Sequence, residues 1–224
     1  MLIGITQRVY DDPSRNERLD TLDQAWFPFL ARCGFEVLVI PNSHPDPGSY
    51  AKKLGVQGLI LSGGNNISAA MKTIDGGDAQ PLLLQDDLAP ERDRVESTLL
   101  TASLSEEWPV VGVCRGMQAL NVYHGGRLRR VEGHVRRDHS VRFVDAWPQD
   151  GEMQVNSYHG VGMHREDLAE GIRPLGFAGD DSVEAFCHQQ HSHWGIMWHP
   201  ERYRKPRAAD VAFFETVVRG QSAN

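Results

Sequence analysis

Cys114 stands in Val110-Val111-Gly112-Val113-Cys114-Arg115-Gly116-Met117-Gln118. A β-branched run leads into Gly-x-Cys-x-Gly, and a helical pattern follows. This is the cysteine form of the nucleophile elbow, a sharp strand-to-helix turn that exposes its central side chain. Gly112 and Gly116 suit it because a Cβ at either position would crowd the turn or the helix–strand contact. A helix N-terminus at the sulfur stabilises a thiolate. A base for that thiol is supplied by His199-Pro200-Glu201, delivered by the apolar run Trp194 to Trp198. Glu201 is placed to orient the imidazole and stabilise its charge, the third-group role of a triad.

These motifs need a sheet whose neighbouring strands end at one edge. Leu2–Thr6, Phe35–Ile40 and Gly58–Leu61 read as strands. They are separated by an amphipathic helix carrying Leu22, Ala25, Trp26, Phe29, Leu30 and Cys33, stopped at Gly34, and by a short helix within Pro45–Leu54. Such alternation implies an α/β fold with a mostly parallel sheet covered on both faces, its site at the strand carboxyl ends. Residues 8–18 read as a loop and 65–90 as an irregular insertion over the site, a lid or a partner surface. A helix follows from about Glu91 to Leu104. Past Gly125-Gly126, the short β-like runs Val141–Val144, Met153–Asn156, Ile172–Phe177 and Val183–Phe186 read as an antiparallel extension, and Pro206 opens a last helix.

The elbow and His199-Pro200-Glu201 together resemble the class I glutamine amidotransferase family, in its free-standing γ-glutamyl hydrolase (peptidase C26) branch. Leu61-Ser62-Gly63-Gly64, Glu91 through Glu96, Val155 through Gly160 and Ser182 through Phe186 extend the likeness over nearly the whole chain. The resemblance implies a flavodoxin-like fold in one domain, 1–224, with Cys114, His199 and Glu201 catalytic. It makes the backbone N–H groups of Gly64 and Arg115 the oxyanion hole, and it puts Gly63, Gln118, Ser157, Tyr158 and His159 against the glutamyl substrate. The reaction implied is hydrolysis of a γ-glutamyl amide through a thioester, with no cofactor.

The segment Arg18 to Trp26 and the short N-terminal half look most like γ-glutamyl-CDP-amidate hydrolases of capsular phosphoramidate synthesis. That likeness implies a cytidine diphosphoramidate leaving group. Arg115 and Arg202, beside catalytic positions, are then the candidate phosphate partners, unless Arg115 pairs with a carboxylate of the fold. The alternatives are a γ-glutamyl-γ-aminobutyrate or other γ-glutamyl amine hydrolase, a glutaminase subunit of a separate synthase, and an inactive ligand-binding module.

Composition narrows the partners. A net charge of −7 over 224 residues argues against a nucleic-acid surface. No apolar run approaches the roughly 20 residues of a membrane span. Three cysteines, Cys33, Cys114 and Cys187, form no disulfide framework and fit a reducing cytoplasm. A homodimer is left open. The histidines cluster as His188, His191 and His193 and as His134 and His139. No Cys pair or His-Glu-x-x-His helix accompanies them, so the sequence assigns no metal.

Overall fold

The computed structural model describes residues 1–77, 84–144 and 151–220. β1 (Leu2–Thr6) opens the chain, followed by a hairpin of β2 (Arg8–Asp12) and β3 (Glu17–Thr21). α1 (Trp26–Arg32), β4 (Glu36–Ile40), α2 (Pro47–Lys53) and β5 (Leu59–Leu61) complete the first half. α3 (Pro90–Glu106), β6 (Val110–Val113) and α4 (Arg115–Tyr123) form the centre. β7 (Arg129–Arg130), β8 (His139–Phe143), β9 (Glu152–Val155), β10 (Val161–Gly162), β11 (Ile172–Phe177), β12 (Val183–His188) and β13 (His193–Ile196) follow, and α5 (Ala208–Val218) is last.

Nine strands make one sheet in the order β4-β1-β5-β6-β13-β12-β11-β8-β9. β4, β1, β5, β6 and β13 are parallel, and β12, β11, β8 and β9 add the antiparallel extension. This is the mostly parallel α/β sheet with an antiparallel extension that the sequence implies. The central strands are continuous apolar runs because both faces are covered: Val110 to Val113 and Leu59 to Leu61 are buried throughout. One face packs Trp26, Phe29, Phe213 and Phe214, the other Leu99, Leu100, Met117 and Leu120.

The loop expected at 8–18 is instead the β2–β3 hairpin, with Val9 paired to Asp20 and Tyr10 to Leu19. Its polar sequence hid it. The ribbon leaves the main sheet and exposes most of its side chains, so no buried face imposes alternation. The first helix begins at Trp26, later than Leu22, because Asp23 holds the preceding turn by accepting from the Ala25 N–H at 3.0 Å.

The described parts of segment 65–90 are tied down. Asn66 bridges to Leu88, Met71 is fully buried, and the Ser68 N–H donates to Asp93 on α3 at 2.8 Å. Residues 78–83 of that segment lie outside the described residues. No described helix is long and apolar enough to cross a membrane.

Candidate active site

β6 and β13 are parallel neighbours, and Val113 pairs with Ile196. The Cys114 N–H then donates to the Ile196 carbonyl at 2.8 Å, so the sulfur and His199 leave adjacent strand ends side by side. Cys114 itself has φ +54° and ψ −107°, a left-side conformation that a non-glycine residue adopts only under constraint. The constraint is visible. A Cβ on Gly112 would overlap the Gly116 carbonyl, and one on Gly116 would overlap the Leu61 carbonyl, so only glycines let α4 leave β6 at this angle.

His199 is held at both ends. Its Nδ1 lies 2.7 Å from Glu201 Oε1. Its backbone is bracketed by the Asn156 amide, whose Oδ1 accepts from the His199 N–H and whose Nδ2 donates to the His199 carbonyl, both at 2.8 Å. Burial alone would raise the Cys114 thiol, but the His199 charge and hydrogen bond outweigh it and hold the pKa below the ordinary thiol value. Burial would likewise lower His199. The Cys114 thiolate and Glu201 reverse that and hold the imidazolium up to about 9. Each of the two groups therefore favours the charged form of the other.

Gly63 and Gly64 end β5 against this pair. A Cβ on Gly63 would meet His199 Cε1 at 2.6 Å, and Gly64 has φ +88°. Fully buried Arg92 governs this turn. Its guanidinium donates to the carbonyls of Ser62 (2.5 Å), Gly63 (3.0 Å) and Gly64 (2.6 Å). In a trans peptide the N–H opposes the C=O, so the Gly64 N–H faces away from Arg92.

A cleft lined by Arg8, Asp23, Trp26, Gly63, Gly64, His199 and Arg202 opens beside these groups. Tyr158 is 43% exposed, with its ring 5.6 Å from that of His199 and the Arg202 guanidinium 4.5 Å over its face.

With a buried cysteine poised on a strained turn against a charged histidine, the comparisons with known proteins become decisive for ancestry. The peptidase C26 family model matches residues 1–201. The chain belongs to that family. It is 31% identical over 203 residues to the gamma-glutamyl-CDP-amidate hydrolase of Campylobacter jejuni, covering 90% of each chain. It is 25% identical over 225 residues to the gamma-glutamyl-gamma-aminobutyrate hydrolase of Escherichia coli, covering 88% of this chain and 85% of that one. Among solved structures, a glutamine amidotransferase from Thermotoga maritima superposes with TM-score 0.62 at 14% identity, covering 100% of this chain and 86% of that one.

The other residues expected at a C26 site are placed variously. Gln118 is buried and its Nε2 donates to the Val161 carbonyl at 2.9 Å. The Ser157 hydroxyl donates to the His134 carbonyl at 2.6 Å, and buried His159 faces the Val161 carbonyl and Glu184. The expectation that Arg115 meets a substrate phosphate is overturned. Its side chain is 2% exposed and ion-paired to Asp93 and Glu96 beneath the elbow. Helix α4 directs it inward, leaving only its backbone N–H beside the sulfur.

Arg8 had no motif to announce it. The signal for Arg92 was the Glu91-Arg92-Asp93 to Glu96 segment, whose charges fall at helical spacing on a face that must be buried. The histidines 188, 191 and 193 do assemble, around His124, with neighbouring rings 4.3 to 5.9 Å apart.

Proposed function

We propose that this chain, as one domain, hydrolyses a γ-glutamyl amide through a Cys114 thioester. The observation that carries the reading is Cys114, held at φ +54° between β6 and α4 beside a histidine whose Nδ1 is 2.7 Å from Glu201. The thiolate attacks the γ-carbonyl carbon. The resulting oxyanion is held by the N–H groups of Gly64 and Arg115, the first turned outward by the grip of Arg92 on the carbonyls of Gly63 and of Gly64 itself. As the C–N bond breaks, the His199 imidazolium gives its proton to the departing nitrogen. The neutral imidazole then takes a proton from water, whose oxygen attacks the thioester. The C–S bond breaks, releasing glutamate and restoring the thiolate. Gly63, Gln118, Ser157, Tyr158 and His159 form the glutamyl side of the pocket.

The leaving group is a nucleotide diphosphoramidate. Two arginines, Arg8 and Arg202, flank the cleft beside Gly64 and His199: Arg8 donates to Thr21 Oγ1 at 3.2 Å, and Arg202 lies over Tyr158 with its Nε 3.6 Å from Glu201 Oε1. Guanidinium groups so placed suit phosphate oxygens. The Campylobacter relative's substrate agrees with this chemistry. The test is glutamate release from γ-glutamyl-CDP-amidate, γ-glutamyl-γ-aminobutyrate and glutamine. A higher kcat/KM for the first, shrinking as salt rises, is expected. A preference for γ-glutamyl-γ-aminobutyrate would overturn the leaving group, and failure of all three would overturn the hydrolase.

A further inference from the structure

A second polar cluster lies behind His159. Glu184 on β12 is 1% exposed, and its carboxylate is ringed by imidazoles: His134 Nδ1 at 3.6 Å, His139 Nε2 at 3.3 Å and His159 Nε2 at 3.4 Å. These separations exceed the 2.7–2.9 Å of a charge-assisted N–H···O bond. Four of the atoms concerned (His134 Nδ1, His139 Nε2, His159 Nε2 and Glu184 Oε2) are buried without a hydrogen-bond partner. A buried carboxylate facing lone-pair nitrogens is costly unless a cation lies between them.

The outward nitrogens of two of these rings have acceptors of their own. His134 Nε2 lies 3.0 Å from Asp180 Oδ2 and His159 Nδ1 lies 3.1 Å from the Val161 carbonyl. A neutral ring whose N–H sits on the outer nitrogen presents the inner lone pair toward the carboxylate. The Ser182 hydroxyl, with one proton, favours Asp180 Oδ1 at 2.7 Å over Glu184 Oε1 at 3.4 Å. Carboxylate and backbone carbonyl behind the imidazoles are the partners that orient metal-bound histidines. The spacing fits as well. Two ligands each about 2.05 Å from a tetrahedral ion stand about 3.3 Å apart. The ligand atoms of His134, His139 and Glu184 all fall within 4.8 Å of one another.

We propose that His134, His139 and Glu184 bind a divalent transition-metal ion of the zinc class, with Asp180 orienting His134 and His159 flanking the carboxylate. Two imidazoles and one carboxylate suit zinc rather than calcium or magnesium. The ion acts as a staple. Among the described residues β8 is registered with β11 at Gly176 to Phe143 and Phe177 to Arg142, and the Val144 N–H donates to the Leu175 carbonyl at 2.9 Å. His139 begins β8, His134 lies in the loop before it and Glu184 sits on β12, so one ion ties the outer strands to the inner ones. The inference does not rest on the proposed hydrolysis, although His159 borders both sites.

The experiment uses full-length Cys114→Ser protein, which removes the thiolate as a competing ligand, stripped with chelator and titrated with zinc and with cobalt. Expected are one saturable ion per chain, a tetrahedral cobalt absorption spectrum, and slower hydrogen exchange in β8 on zinc addition. His139→Ala or Glu184→Gln should weaken binding by about 100-fold or more, and Asp180→Asn by about 10- to 100-fold. The double variant His188→Ala/His191→Ala should bind as the parent does. Loss of binding only in that double variant would move the ion to the other histidine cluster and overturn the proposal. So would an octahedral cobalt spectrum, or no saturable binding by the stripped parent, which needs no variant to fold.

Discussion

Gly63→Ala tests the site through a single methyl group. Its Cβ would arrive 2.6 Å from His199 Cε1, where ordinary contact begins at 3.4 Å, so the imidazole must withdraw by about 0.8 Å. It cannot simply rotate away. Its Nδ1 is bound to Glu201 at 2.7 Å, its backbone is held twice by Asn156, and the residue is 2% exposed. The retreat therefore lengthens the path between the ring and Cys114. A misplacement near 1 Å costs about 10²-fold in rate, or about 2.7 kcal/mol of barrier.

Turnover should fall by that amount in kcat with KM little changed, because the ring acts on the reacting atoms more than on ground-state binding. Alkylation of Cys114 by iodoacetamide near neutral pH should slow as well, since the ion pair that stabilises the thiolate is stretched. Gly160→Ala is the control: its Cβ would meet only Val135 Cγ2, at 3.7 Å. A Gly63→Ala protein with kcat within about threefold of wild type would refute the placement of His199 as proton carrier.

Other outcomes follow from the same geometry. Cys114 should alkylate well before Cys33, whose thiol burial pushes up to about 12, and peptide mass spectrometry after brief labelling separates the two. Arg8→Ala should lower kcat/KM for a nucleotide diphosphoramidate by about tenfold while leaving glutamine turnover near wild type; equal losses on both substrates would remove it from the leaving-group subsite. Arg92→Lys keeps a charge but cannot bridge three carbonyls, so kcat should fall by roughly 10²-fold, the size of one lost oxyanion donor, with circular dichroism unchanged. Burial and neighbouring histidines hold His124 down to about 3 and His193 down to about 2. The unfolded chain binds those protons near pH 6.5, so stability should drop as pH falls from about 6.5 toward 3. His124→Asn should flatten that slope in thermal melts at successive pH values.

What the sequence disclosed, and what it hid, divides along physical lines. The parallel half of the sheet was legible because strands buried on both faces must be continuous apolar runs, as Val110 to Val113 and Leu59 to Leu61 are. The elbow was legible because steric closeness at Gly112 and Gly116 leaves no other residue type. The β2–β3 hairpin was not, since a solvated ribbon has no buried face to impose a period. Arg115 was misjudged from proximity in sequence: one step past the sulfur the backbone has turned into α4, and the side chain points under the sheet's end instead of into the cleft. Glu184, 50 positions beyond His134, joins the histidines only through the antiparallel pairing of β12, which no local pattern reveals.

The elements that supply the site are tied to each other by polar groups more than by apolar contact. Arg92 and Arg115 from α3 and α4 face Asp93 and Glu96, Arg92 grips the end of β5, and Thr6 at the end of β1 donates to Glu96 at 2.8 Å. Asn156, from the antiparallel half, grips the chain at His199. A buried ion pair adds little net stability over an apolar pair of similar size. Apolar packing fixes how near two strand ends lie, but it leaves the peptide planes free to turn. Hydrogen bonds from a planar guanidinium fix that turn, and the direction of the Gly64 N–H depends on it. Losing one member of this network strands a charge in the interior and frees the peptide planes together. Substitutions at Arg92 or Glu96 should therefore lower stability and kcat in parallel. Gly63→Ala, which leaves every charge paired, should lower kcat alone.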